Sequence, residues 1–225
     1  MTMVRSGRPI TSALALGVLA VALAACHPPV SPAVLSQWQG RTLYTCCNIH
    51  YEGGDVTDAN YVVGSTLPFG SPVVVEKMTS DSATLRSGAT QLTLYQSYGR
   101  DQESAQQYFN KIFVETDPRA VFATWPKQVQ SAITDGRVER GMTRPQVIMS
   151  LGYPPTHRTA STDLNTWTYW YNRWVTYQVQ FGDDGKVSNI IGSPAPTRNE
   201  PIVATAPAAA SKARPVGKGK AKPKY

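Results

Sequence analysis

From residue 175 to 181 the chain reads Val-Thr-Tyr-Gln-Val-Gln-Phe. Val175, Tyr177, Val179 and Phe181 alternate with Thr176, Gln178 and Gln180, which predicts a strand with one buried and one wet face. Trp167-Thr168-Tyr169-Trp170-Tyr171 predicts a strand before it. Gly182-Asp183-Asp184-Gly185 reads as a turn, and Lys186 to Ile191 as the returning strand.

Upstream the period changes from two to 3.6. In 101–114, Ala105, Tyr108, Phe109, Ile112 and Phe113 form one apolar stripe at helical spacing. Residues 115–125 break that helix, and Pro126 can open another, with Val129 and Ile133 as an i, i+4 pair and Gly136 as its stop. The most sharply delimited helix follows. Thr143 and Gln146 form a capping box, Pro145 sits in the first turn, and Val147, Ile148 and Leu151 share one side. Gly152 reads as an αL stop, with Pro154-Pro155 preventing continuation.

Before these helices, residues 36–98 show short β-rich runs divided by Gly, Pro, Asp and Ser. Residues 71–78, 82–88 and 90–97 read as a hairpin series, and short strands of this kind resemble SH3-like barrels. The fold class is therefore α+β: a small β-rich N-terminal segment, then two helices and an antiparallel meander forming a two-layer ααβββ unit. The expected organisation is a signal peptide over 1–25, a Pro-rich linker over 26–35, the β-rich domain over 36–98, a connecting helix over 99–125, the ααβββ domain over 126–192 and a tail over 193–225.

Charge refines this division. Of the formal net charge of +7, Arg5 and Arg8 sit in the leader. Arg198, Lys212, Arg214, Lys218, Lys220, Lys222 and Lys224, against Glu200, sit in the tail, which leaves the body near −1. A nucleic-acid-binding domain carries its positive charge on a folded face, so no nucleic-acid partner is expected. The Pro/Ala/Lys-rich tail has too few large apolar residues to bury a core and is expected to be disordered. It serves either as a solubilising tail or, through 212–224, as a contact for envelope polyanions.

The two leader arginines precede an apolar run that ends Leu23-Ala24-Ala25-Cys26. The run is too short for a comfortable membrane span and has the make-up of a secretory signal. Its end resembles the lipobox of bacterial lipoproteins. That resemblance implies lipidation of Cys26, whose acyl chains would hold the protein to a bilayer. His27 stands where lipoprotein sorting rules associate aspartate with inner-membrane retention, which implies the outer membrane, with the protein facing the periplasm.

Gly141-Met142-Thr143, Gln146-Val147, Leu151-Gly152-x-Pro154, Trp167-x-Tyr169 and Phe181-x-x-x-Gly185-x-Val187, taken in order, are similar to the SmpA/OmlA (BamE-like) family of small outer-membrane lipoproteins. The resemblance implies the ααβββ fold shared with β-lactamase-inhibitor proteins and a supporting role in assembling β-barrel proteins. It also implies that the start of the Gly-Met-Thr helix (Gly141, Met142, Thr143) and the loops around the meander face a partner. Typical members are shorter and lack 36–98.

No G-x-S-x-G, phosphate-binding glycine loop or H-E-x-x-H occurs, so no enzyme and no cofactor are expected. His157 reads as a surface histidine without an acidic partner. Cys46-Cys47 can form a vicinal disulfide, stay as structural thiols, pair with a second molecule, or offer two soft ligands beside His50. C-x-x-C spacing is absent, so no metal is expected. Six aromatic residues fall between Trp167 and Tyr177; Trp167, Tyr169 and Tyr171 suit the core face. Trp170, Arg173 and Trp174 then form either an exposed protein-binding hot spot or a surface covered by the first half of the chain.

The function these readings imply is a non-enzymatic outer-membrane lipoprotein that binds envelope proteins and supports outer-membrane assembly or integrity. The alternative is a lipoprotein that binds cell wall or anionic lipid through the N-terminal β domain and basic tail. A third class is a redox or metal protein acting through Cys46 and Cys47.

Overall fold

The structure, a computed structural model, describes residues 37–192. The signal, Cys26, the linker and the basic tail lie outside the described residues. Within them the protein is α+β, with two cores that meet along a seam.

The first core lies under a six-stranded sheet. Strands β1 (Thr42–Thr45), β2 (Ile49–Tyr51), β3 (Asp55–Thr57), β4 (Ser65–Leu67), β5 (Pro72–Met78), β6 (Ser82–Ser87) and β7 (Thr90–Tyr95) follow in sequence. Helix α1 (Ala105–Ile112) leads directly into β8 (Phe113–Val114). The sheet order is β3-β7-β6-β5-β1-β8, and β2 pairs with β4 apart from it. The hairpin series β5-β6-β7 is antiparallel, whereas β3 runs parallel to β7 at the edge.

Alternation places Val73 and Val75, Ala83 and Leu85, and Leu92 and Leu94 on the buried face. In β5 the register shifts between Val75 and Lys77, and this bulge returns Met78 rather than Lys77 to the core. Helix α1 closes that face. Ser104 Oγ accepts from the Gln107 N–H at 3.2 Å, and Gln107 Oε1 accepts from the Ser104 N–H at 2.8 Å, which fixes where the helix starts. The stripe Ala105, Tyr108, Phe109, Ile112 is buried, and Phe113 continues it from β8. Phe109 is fully buried, a burial that contributes about 1.5–3 kcal/mol for a side chain of this size. The helix over 99–125 thus belongs to the first core, and the remainder of that stretch holds a one-turn helix, α2 (Arg119–Phe122).

The second core lies between helices α3 (Lys127–Thr134) and α4 (Arg144–Leu151) and the antiparallel meander β9 (Thr166–Asn172), β10 (Val175–Phe181) and β11 (Val187–Ile191), ordered β11-β10-β9. Trp167, Tyr169 and Tyr171 face inward with Tyr177, Val179 and Phe181. Val175 departs from the expected pattern. The register shifts between Val175 and Thr176, and Val175 is left exposed at the hairpin.

Helix α4 begins at the Thr143 cap, where Gln146 Oε1 accepts from the Thr143 N–H at 2.8 Å. It ends at Gly152, whose φ of 80° and ψ of −179° belong to a region nearly restricted to glycine rather than to αL. Its burial is wider than one stripe. Val147 and Leu151 are buried as expected, Ile148 is only half-buried, and Met149 and Ser150 are buried too. The second covered face results from the segment after β1. The Asn48 N–H donates to the Met149 carbonyl at 3.1 Å, and the Asn60 side chain donates to the Leu151 carbonyl at 2.8 Å. Val62 joins the second core, and Phe69 packs on Phe122 with centroids 4.6 Å apart. The two units are therefore laced by residues 46–71, where the Asn48 N–H and the Asn60 side chain satisfy carbonyls that the helix end leaves unpaired.

Candidate functional site

The seam gathers the aromatic residues that the alternation of β9 sends outward. Trp170 is half-buried. The ring of Tyr61 meets it edge-on at 6.4 Å, His157 stacks on it at 6.3 Å, and the Arg158 guanidinium lies over it at 4.7 Å. The Trp170 indole N–H donates to His157 Nε2 at 3.2 Å, so that nitrogen carries a lone pair rather than a proton. Tyr98 packs on the other side of His157, at 5.5 Å. Trp170 is therefore partly covered, by Tyr61 from the first half of the chain and by His157 and Arg158 from its own unit.

His157 is likewise not the isolated surface histidine that its loop suggested. Burial pushes its pKa down, and Arg158 adds to this; the nearby Asp58 carboxylate opposes both. Asp58 is itself buried. Its carboxylate accepts from the N–H groups of Ser97 at 3.0 Å, Tyr98 at 3.1 Å and Gly99 at 2.6 Å, gathering the chain as it leaves β7.

Beside this cluster opens a cleft of about 520 Å³, lined by residues of both units. Glu52 and Asp55 project from a tight turn in which each N–H donates to the other's carbonyl at 3.0 Å, with Gly53 and Gly54 at positive φ between them. Arg173 enters the cleft from the β9–β10 hairpin. The Tyr61 hydroxyl donates to the Tyr98 hydroxyl at 3.2 Å on the cleft wall. Burial, and then the Tyr98 hydroxyl, push the Tyr61 pKa up to about 12, so it stays a neutral donor. His50 completes the lining; its Nδ1 lies 3.1 Å from the Thr66 hydroxyl, and its buried Nε2 has no hydrogen-bond partner. Burial holds the His50 pKa at about 4, so the ring is neutral near pH 7.

The hairpin that carries Arg173 also presents Trp174, which is 84% exposed. Asn172 Oδ1 accepts from the Trp174 and Val175 N–H groups at 2.8 and 2.9 Å, so the turn is held while its indole stands in solvent. The Gly141-Met142-Thr143 stretch is different. The Gly141 N–H donates to the Val187 carbonyl, and the Val187 N–H donates to the Met142 carbonyl, each at 2.8 Å. Thr143 bridges Lys186. Met142 is 1% exposed and belongs to the core, so it offers no partner-facing side chain; its thioether instead accepts from the Glu139 N–H. Gly141 remains exposed, and Thr143 is half-buried at the cap.

Cys46 and Cys47 are joined as a vicinal disulfide, with Cys47 buried and Cys46 half-buried. Among the described residues no group of three or more His, Cys, Asp or Glu side chains is arranged to hold a metal ion, and no helix is long and apolar enough to cross a membrane. No protein-family model, no curated protein and no solved structure matches this chain.

Sequence reasoning drew attention to Arg173, Trp174 and His50 but passed over Glu52, Asp55, Tyr61 and Tyr98. These four lie in polar, glycine-punctuated stretches without periodicity. The one usable signal was two carboxylates flanking Gly53-Gly54, which places both on the same side of a tight turn.

Proposed function

We propose that this protein is a non-enzymatic, lipid-anchored outer-membrane lipoprotein that faces the periplasm, with an ααβββ unit acting as a BamE-like docking module for another envelope protein. The N-terminal sheet is a small SH3-like platform against which that module is braced. In this reading the acyl chains on Cys26 localise the protein and the linker gives it reach. The docked partner belongs to the machinery that assembles or maintains the outer membrane.

The observation that carries the reading is Trp174, 84% exposed at the tip of a hairpin whose turn is fixed by Asn172. A large aromatic side chain held in solvent on a rigid support is the usual anchor of a protein interface. Affinity purification of the full-length chain from detergent-solubilised envelopes tests it. Barrel-assembly components are expected to co-purify, and to be lost with Trp174→Ala while the variant keeps its thermal stability. Recovery of cell-wall material or anionic lipid in place of a protein partner would transfer the reading to a ligand-binding lipoprotein.

A further inference from the structure

The cleft between the two units has charges of opposite sign on its two sides. Glu52 and Asp55 come from the turn before β3, in the N-terminal unit, and Arg173 comes from the β9–β10 hairpin. Among the described residues none of the three is engaged in an ion pair or a side-chain hydrogen bond. Some charged groups elsewhere are paired, as in Arg137 with Asp135 and Glu139, or Arg119 with Asp117. Tyr61 and Tyr98, whose hydroxyls are hydrogen-bonded to each other, and His50 line the same cleft.

We propose that this cleft binds a short peptide with free termini, its ammonium group held by Glu52 and Asp55 and its carboxylate by Arg173. The charge pattern selects against simpler ions. A phosphate or other anion meets the two carboxylates, and a bare cation meets the guanidinium. A ligand that carries both signs at opposite ends satisfies both sides. Arg173 offers a planar fork suited to a carboxylate, and the tyrosine rings present flat apolar surface to peptide planes. The volume of about 520 Å³ lies within the roughly 300–1,000 Å³ of small-ligand sites. Because the two sides belong to different units, the bound peptide also ties the hairpin to the N-terminal sheet. The site shares its hairpin with Trp174 but uses different side chains, and stands whether or not a protein docks on Trp174.

Equilibrium dialysis of the full-length, detergent-purified chain against a pool of tripeptides tests this, with retained peptides read by mass spectrometry. Three pools are compared: free at both termini, N-acetylated, and C-amidated. The free pool is expected to be retained, and each blocked pool to be retained at least fivefold less. In Arg173→Gln, amidation should cease to matter while acetylation still does. In the double variant Glu52→Gln/Asp55→Asn the dependence should reverse. All three side chains are exposed, and near-UV circular dichroism confirms that the variants fold. Absence of retention, equal retention of the three pools, or retention of N-acetylglucosamine oligomers in place of peptides would each overturn the proposal.

Discussion

The Asn48 side-chain amide donates to the Ile133 main-chain carbonyl at 2.8 Å, across a sequence separation of 85 residues. The same amide donates to the Ser150 carbonyl at 3.0 Å, while Asn48 Oδ1 accepts from the Phe69 N–H at 3.0 Å. One buried side chain therefore satisfies carbonyls near the ends of α3 and α4 and fixes the loop after β4. Asn48→Ala leaves the Ser150 carbonyl and the Phe69 N–H without this partner, and the Ile133 carbonyl with the Gly136 N–H alone, at a cost of about 3 kcal/mol. Chemical denaturation should show this loss. A change under 1 kcal/mol would mean that water replaces the amide.

Gly152 can be nothing larger. An added Cβ would stand 2.7 Å from Asn60 Nδ2, and the φ of +80° is strained for any L side chain. Asn60 itself adopts a φ of 44° to make its bonds to Leu151 and His50, so it has little room to retreat. Gly152→Ala is expected to destabilise the fold by about 2 kcal/mol, whereas Gly141→Ala meets nothing within 4 Å and costs only its backbone strain. Thermal melts of the two variants, compared side by side, check the difference.

Acidification should weaken the protein through His50. The folded ring takes a proton only near pH 4, whereas an unfolded one does so near 6.5. Between those values the unfolded chain binds more protons, so stability is fully present above about pH 6.5 and falls as pH drops toward 4. The full window corresponds to on the order of 3 kcal/mol. Urea midpoints measured at intervals from pH 7 to pH 4 should show the decline, and His50→Gln should flatten it. An unchanged slope in the variant would assign the pH dependence to other groups.

The Cys46–Cys47 bond gives a direct chemical prediction. Trypsin releases both cysteines in the single peptide 42–77, since no Lys or Arg lies between Arg41 and Lys77. Under non-reducing conditions that peptide should be lighter by two hydrogens than after reduction, and should resist alkylation. Alkylation at both positions without reductant would show free thiols.

Much of the helix at 144–151 was legible beforehand, because its start and stop depend on local chemistry. Thr143, Gln146, Pro145 and Gly152 each act within one turn of backbone. The meander was equally plain, since period-two alternation is a property of the strand itself. The resemblance implied a partner-facing Met142, but its side chain is buried, and nothing local reveals that β11 returns to pair with this stretch.

The sequence by itself determined the α+β class, the strands of the meander, the main helices and the inward set Trp167, Tyr169, Tyr177, Val179 and Phe181. All of these follow from periodicity and from caps that act over a few residues. Only the tertiary structure decided that Trp170 is covered by Tyr61 and His157, that Met149 and Ser150 are buried, and that Glu52 and Asp55 share a cleft with Arg173. Those outcomes depend on the segment 46–71, with its short strands and loops, crossing to the second core. Its course is set by side-chain bonds from Asn48 and Asn60 to residues roughly a hundred positions away, a separation at which no local pattern reports which groups will meet.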